Sequence, residues 1–114
     1  MFKTVSIIGG DLRQLAAADF MERDGYDVIL YGFDEADTRN LKQCGSPDYA
    51  LCTDAVILPV PVSFDGKYIN MPFSKTQLSV DELTAKLNPA AMVFGGQIKP
   101  ELALRLEKRG IKYC

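Results

Sequence analysis

The 114-residue sequence contains no histidine. That absence removes Ser-His-Asp and Cys-His nucleophile chemistry and the commonest transition-metal ligand together, so catalysis would have to use carboxylates, Lys, Tyr, Cys or borrowed groups. Cysteine is scarce. Cys44, Cys52 and Cys114 are odd in number and include no C-x-x-C pair, which argues against a disulfide framework or a zinc knuckle and for a reducing compartment. Positive charge is not in excess: 13 Lys and Arg stand against 15 Asp and Glu, a net charge of −2, so no basic footprint for nucleic acid is present. No apolar run approaches the roughly 20 residues of a membrane span. The opening Met-Phe-Lys-Thr-Val leads straight into a strand without a cleavable apolar segment. Neither a membrane nor a nucleic acid is expected as a partner, no metal is expected, and the cytoplasm is the expected compartment.

What is present is a globular composition, 47% hydrophobic and 25% charged, in a chain long enough to bury its own core as one domain. Strand and helix alternate. Thr4 to Ile8 is a β-branched run, after which Leu12, Leu15, Ala16 and Phe20 recur at helical spacing until Asp24-Gly25. Asp27 to Phe33 reads as a second strand, apolar on both faces as a doubly covered parallel sheet requires. Residues 35–53 are polar and weakly patterned, and fix no element. Asp54 to Val60 is a third strand, interrupted by Pro59 and Pro61. A long segment over 62–77 follows, with Asp65-Gly66 at its middle as in a hairpin; loops of that length are usually functional or mobile. Ser79-Val80-Asp81-Glu82 offers a capping box for a helix over 80–87, closed by Asn88-Pro89. Ala91 to Phe94 is a fourth strand, Pro100 opens a helix through Arg109, and Ile111 to Cys114 begins a fifth strand. In that last helix Leu102, Ala103 and Leu106 form a core stripe, and Arg105, Glu107, Lys108 and Arg109 a solvated face that complements the helix dipole.

These units imply an α/β three-layer fold, Rossmann- or flavodoxin-like, with an open, mainly parallel five-stranded sheet in the order 2-1-3-4-5. The chain stops inside an element, so residues 1–114 are read as a single N-terminal domain excised from a longer chain.

Ligands of such sheets bind at the carboxyl ends of the strands near the switch point. Three loops meet that rule and should converge: Gly9 to Gln14, Pro59 to Phe64 and Gly95 to Lys99. The first fails the dinucleotide fingerprint G-x-G-x-x-G. Counting from Gly9, the later glycine places hold Asp11 and Gln14; counting from Gly10, they hold Leu12 and Leu15. Asp11 also sets a carboxylate where a pyrophosphate would lie. The loop therefore suits something other than a dinucleotide. Arg13 and Gln14 in the first helical turn favour a carboxylate or phosphate, Ser63 and Gln97 add hydrogen-bonding groups, and Lys99 is a more distant cation. A plain alternative for Asp11 is a helix cap, with Arg13 solvated beside it. Asp34 sits where a ribose-binding acid would, but without the glycines it reads as a loop acid. Lys67 and Tyr68 are better taken as surface residues than as an acid/base pair, and Cys44 and Cys52 as small core residues.

The run Ile8-Gly9-Gly10-Asp11-Leu12-Arg13-Gln14, then Tyr31-Gly32-Phe33-Asp34, then Val56-Ile57-Leu58-Pro59-Val60-Pro61 resembles the N-terminal domain of the A subunit of dipicolinate synthase from spore-forming bacteria. The resemblance covers essentially the whole chain. It implies a substrate-side domain of an NAD(P)-dependent oxidoreductase that oxidises a dihydrodipicolinate-type intermediate to dipicolinate during sporulation, with NAD(P) held by a second Rossmann domain that this chain lacks. No cofactor is then expected in this chain alone, which is expected to be inactive in isolation. The implied partners are a small dicarboxylate substrate and the B subunit of dipicolinate synthase, and homo-oligomers are compatible with it. The expected substrate-binding residues are Gly9, Gly10, Asp11, Arg13, Gln14, Pro59, Ser63, Gly95, Gly96 and Gln97, with no catalytic residue assigned. Two other classes stay open: a stand-alone nucleotide- or phosphate-binding module, and a non-catalytic subunit-contacting domain.

Overall fold

The computed structural model describes residues 3–114. At its centre β1 (Thr4–Ile8) pairs in parallel with β2 (Asp27–Tyr31) on one side and β4 (Ala55–Ile57) on the other. The sheet continues outward through β5 (Met92–Phe94) to β6 (Lys112–Tyr113) beyond β4, and to β3 (Lys42–Gln43) beyond β2. All pairings are parallel, and the order is β3-β2-β1-β4-β5-β6. The five expected strands lie in the expected order, but among the described residues the sheet has six strands rather than five. The added β3 comes from the polar stretch that carried no pattern: both residues are exposed on the edge, so no apolar alternation announces them. It is held through the ladder beside β2 and the Cys44 N–H donated to the Leu30 carbonyl at 2.8 Å.

Successive strand residues face opposite layers, and both layers are apolar. Ile8, Val56 and Val93 pack under α2 (Pro47–Ala50), α3 (Val80–Lys86) and α4 (Pro100–Lys108), against Ala50, Leu83, Leu102 and Leu106. Ile7, Val28 and Leu30 face the other way, toward Ala18 of α1 (Leu12–Arg23), with Phe33 at their end. Leu58, Leu78 and Leu83 are fully enclosed, so a Leu→Ala change there would remove about 2–5 kcal/mol.

Several local expectations shift for tertiary reasons. In α1 the stripe Leu12, Ala16, Phe20 points outward, with Leu12 66% and Phe20 70% exposed; Ala18 is buried instead, with Leu15 and Met21 packed beside it. Cys52 is exposed and not a core residue, while Cys44 is half-buried with its thiol turned to the Ser46 backbone. Arg109 is exposed as expected, but its guanidinium also donates to the Thr84 carbonyl and, at 3.0 Å, to that of Leu87, closing the end of α3. The second strand ends at Tyr31, because Gly32 turns the chain with φ +89°. The 62–77 segment does turn at Asp65-Gly66, where Asn70 N–H returns to the Val62 carbonyl at 2.8 Å, but it then runs on to pair Tyr68 with Ser79 as an isolated bridge.

Ser79 caps α3 by accepting the Glu82 N–H at 2.9 Å, while the Glu82 carboxylate pairs with Lys86 at 2.9 Å and with it extends the helix surface. Half of the capping box is thus made. Ser79→Ala should lower stability by about 1 kcal/mol in denaturant unfolding, and Ser79→Asp should restore it. At the start of β1 the Asp54 carboxylate accepts the N–H groups of Lys3 and Thr4, both at 3.1 Å, which holds its pKa below the ordinary 3.8. A carboxylate with a depressed folded-state pKa adds stability above its unfolded value and loses it as pH falls through the folded one. Asp54→Asn should therefore flatten the loss of thermal stability below about pH 4, the range set by ordinary carboxylate pKa values.

Candidate functional site

The sheet reverses its order at β1 and β4, and the loops leaving the carboxyl ends of β1, β4 and β5 meet there. A Cβ placed on Gly10 would lie 3.2 Å from that of Pro59, and one on Gly96 would lie 2.7 Å from Val60. Gln14 reaches across from α1 to the Leu58 carbonyl at 3.4 Å. The three loops converge, as their positions in the sequence require. Their polar groups, however, are largely committed to one another.

The turn after β1 shows this most clearly. Gly9 donates its N–H to the Tyr31 carbonyl at 2.8 Å, and Gly10 donates its own to the Asn70 carbonyl at 2.9 Å. Neither N–H faces outward to a ligand anion. Asn70 belongs to a strap, residues 69–76, laid across the ends of β1 and β2. Its amide side chain donates to the Pro61 carbonyl at 3.1 Å, and its backbone N–H to Val62. Met71 fills the space between two glycines: a Cβ on Gly9 would meet Asn70 O and Met71 Cγ at 2.5 Å, and one on Gly32 would meet Met71 Sδ at 2.7 Å. Phe73 then stacks on Phe33 with ring centres 6.4 Å apart, and its carbonyl accepts the Glu35 N–H at 2.8 Å. Asp34, the acid at the ribose position, accepts the Lys75 N–H at 3.0 Å and the Ser74 hydroxyl at 3.3 Å. The Gly10 N–H and the Asp34 carboxylate are thus both engaged by the protein's own chain.

Asp11 caps α1, accepting the Arg13 N–H at 2.9 Å, and also binds the Arg13 side chain. Nε lies 3.1 Å from both carboxylate oxygens and one terminal nitrogen 2.9 Å from Oδ2. The Arg13 guanidinium, the largest influence, holds the Asp11 carboxyl below its usual range, and Asp11 raises Arg13 in turn. This pair uses one edge of the guanidinium fork; among the described residues the other edge has no partner, and the side chain is 76% exposed.

Ser63 and Gln97 lie apart from the glycine turn. They line a cavity of about 70 Å³ between the Pro61–Gly66 loop and the start of α4, together with Lys99, Glu101 and Arg105. The Ser63 hydroxyl is spent inside its own loop, accepting the Gly66 N–H at 2.9 Å and reaching the Tyr68 carbonyl and Asp65. Gly95 packs on Ile98. Lys67 places its ammonium 5.5 Å from the Tyr68 ring, a cation–π contact. Among the described residues no group of three or more His, Cys, Asp or Glu could hold a metal, and no helix is long and apolar enough to cross a membrane.

A family model, described as the N-terminal domain of the dipicolinate synthase A subunit, matches residues 4–114. The chain belongs to this family. In structure it is similar to the dipicolinate synthase A chain from Bacillus subtilis, with TM-score 0.80 and 23% identity over 100% of this chain and 40% of that one. The A subunit of dipicolinate synthase from Bacillus halodurans gives TM-score 0.80 and 23% identity over 98% of this chain and 39% of that one. An NADPH-dependent glyoxylate/hydroxypyruvate reductase from Sinorhizobium meliloti, solved with NADP and sulfate, shares the fold at TM-score 0.60 and 19% identity, over 95% of this chain and 35% of that one. The chain thus spans well under half the length of each of these structures. No curated protein sequence matches it.

For this dipicolinate synthase family domain, the residues that shape the turn beside Arg13 include two that sequence reading passed over, Asn70 and Met71. No motif marks them. The available signal was indirect: glycines at the ends of two adjacent strands, Gly9 and Gly32, without the spacing of a nucleotide loop, mean that something else comes close. Gly32→Ala should cost about 1–3 kcal/mol through its positive φ and the clash with Met71. In a Met71→Ala background the clash disappears and only the φ strain remains, so a double-mutant cycle by urea unfolding should give a coupling of about 0.5 kcal/mol or more.

Proposed function

We propose that this domain is the substrate-side half of the A subunit of a dipicolinate synthase, within an enzyme that oxidises a dihydrodipicolinate-type intermediate to dipicolinate with NAD(P) during sporulation. The observation that carries this reading is the strap. Where a Rossmann domain would take the pyrophosphate and ribose, this domain has Asn70 on the Gly10 N–H and the Ser74-Lys75 turn on Asp34. The residues of this chain do not fit a dinucleotide at that place, so the cofactor belongs to the remaining length that the related crystal structures possess, in line with the 40% and 39% of those chains that this domain covers. The same commitment weighs against a stand-alone nucleotide module.

The substrate is a dicarboxylate, and the free edge of Arg13 is the proposed carboxylate anchor. Asp11 holds the other edge, which restricts the guanidinium before a ligand arrives and lowers the side-chain freedom lost on binding. Gln14 and Pro59 adjoin the turn that Gly9 and Gly10 shape, and Gly95 and Gly96 are proposed to border it through the β5 loop, with Ser63 and Gln97 contributing from the neighbouring cavity. Activity then requires both domains, which leaves the isolated chain without turnover. The B subunit and further copies of the A subunit are the proposed partners, and the cytoplasm the proposed location.

The test is an amide chemical-shift titration of the 114-residue chain with dipicolinate and, separately, with NADP. Saturable shifts over 9–14, 59–64 and 95–99 with dipicolinate, absent with NADP and weakened at least tenfold by Arg13→Ala, are expected. Shifts with NADP at Gly9, Gly10 and Asp34 would overturn the reading.

A further inference from the structure

The cavity between the Pro61–Gly66 loop and α4 carries a more specific assignment, because most of its polar groups are already spent and only a few are not. On the loop side the Ser63 hydroxyl is consumed by Gly66 and Tyr68. Asp65 beside it accepts the Lys67 N–H at 2.8 Å and the Tyr68 N–H at 2.9 Å, and its pKa is lowered by these bonds. On the helix side Arg105 is paired with Asp81 at the start of α3. Val62, Val80 and Leu102, all buried in the larger core cluster, give the cavity an apolar wall. What is left is one amide, one cation and one anion: Gln97, Lys99 and Glu101 line the cavity, and among the described residues none of the three has a side-chain hydrogen bond or ion pair. Lys99 and Glu101 stand two residues apart on either side of Pro100 and do not neutralise each other.

An apolar wall opposite an unspent ammonium, an unspent carboxylate and an amide is complementary to a compact molecule that carries its own opposite charges beside a hydrocarbon frame. We infer that this cavity binds the α-amino or α-imino carboxylate portion of a cyclic ligand: Lys99 and Gln97 take its carboxylate, Glu101 takes the adjacent ring nitrogen in its protonated form, and Val62, Val80 and Leu102 take the ring. The inference rests on the substrate reading above and deepens it, since a dihydro precursor of dipicolinate carries a carboxylate beside an imino ring nitrogen that can take up a proton. It assigns Lys99 and Glu101 to that end of the ligand.

The test uses three matched probes on the 114-residue chain, with amide shifts read over 61–66 and 97–105: proline, cyclopentanecarboxylate and pyrrolidine. For ligands of so few atoms dissociation constants on the order of millimolar are expected. Proline should bind at least tenfold more tightly than either half-probe. Lys99→Met should weaken proline and cyclopentanecarboxylate and leave pyrrolidine unchanged; Glu101→Gln should weaken proline and pyrrolidine and leave cyclopentanecarboxylate unchanged. Neither substitution touches a folding contact, because the Lys99 side chain makes no capping bond and Glu101 is exposed, and circular dichroism of both variants should match the parent. Proline binding no better than the halves, equal loss of all three probes in either variant, or no saturable shift would overturn the assignment. Dipicolinate shifts over 9–14, 59–64 and 95–99 with proline silent would overturn it too, while leaving the substrate reading intact; NADP shifts at the glycine turn would remove that reading itself.

Discussion

The hydrogen bond from the Gly10 N–H to the Asn70 carbonyl ties the long loop after β4 to the turn after β1, and much of the carboxyl edge follows from it. With Asn70 fixed there and its side chain on Pro61, Met71 is driven into the space that Gly9 and Gly32 leave open. Met71 then packs on the core layer under α2, α3 and α4, and Phe73 on the layer under α1, so the strap crosses the end of the sheet and closes both layers. Each glycine is needed for this contact because a Cβ at either place would meet the strap well inside van der Waals distance. Chain has replaced ligand in the cradle. A long loop that would otherwise be mobile is thereby anchored at Gly10, Val62, Asp34 and Glu35.

The charges at this edge sort by the same logic. Asp11, Asp34, Asp65 and Asp81 are all committed to neighbours: a helix cap and Arg13, the strap, a tight turn, and Arg105. Exposed pairs of this kind add little to stability. Their larger consequence is to fix where the remaining charge lies, at the outer edge of Arg13 and at Lys99 and Glu101.

Much of the fold was legible. The β-branched run at Thr4 to Ile8 and the doubly apolar Val28 to Tyr31 announced buried parallel strands, Ser79 and Glu82 marked the start of α3, and Pro100 that of α4. The two-residue β3 was not, because a polar edge strand is defined by the ladder beside it and carries no pattern of its own. The stripe on α1 was legible as a helix but not in its orientation, since the sheet selects Ala18 for close approach and leaves Leu12 and Phe20 outside. The failed fingerprint left backbone donors that sequence reading assigned to a ligand. Sixty residues of separation hid the partner that takes one of them: Gly10 and Asn70 are neighbours only in space.

By itself the sequence determined the α/β class, the order of its principal strands and the convergence of three loops, because hydrophobic periodicity, capping residues and right-handed crossovers are local or topological properties. Only the tertiary structure decided which polar groups at those loops remain available. A hydrogen-bonding group's capacity is consumed by whatever the fold brings within about 3 Å, and for Gly10, Asp34, Ser63 and Arg105 that partner comes from a distant part of the chain or from a turn whose closure depends on it.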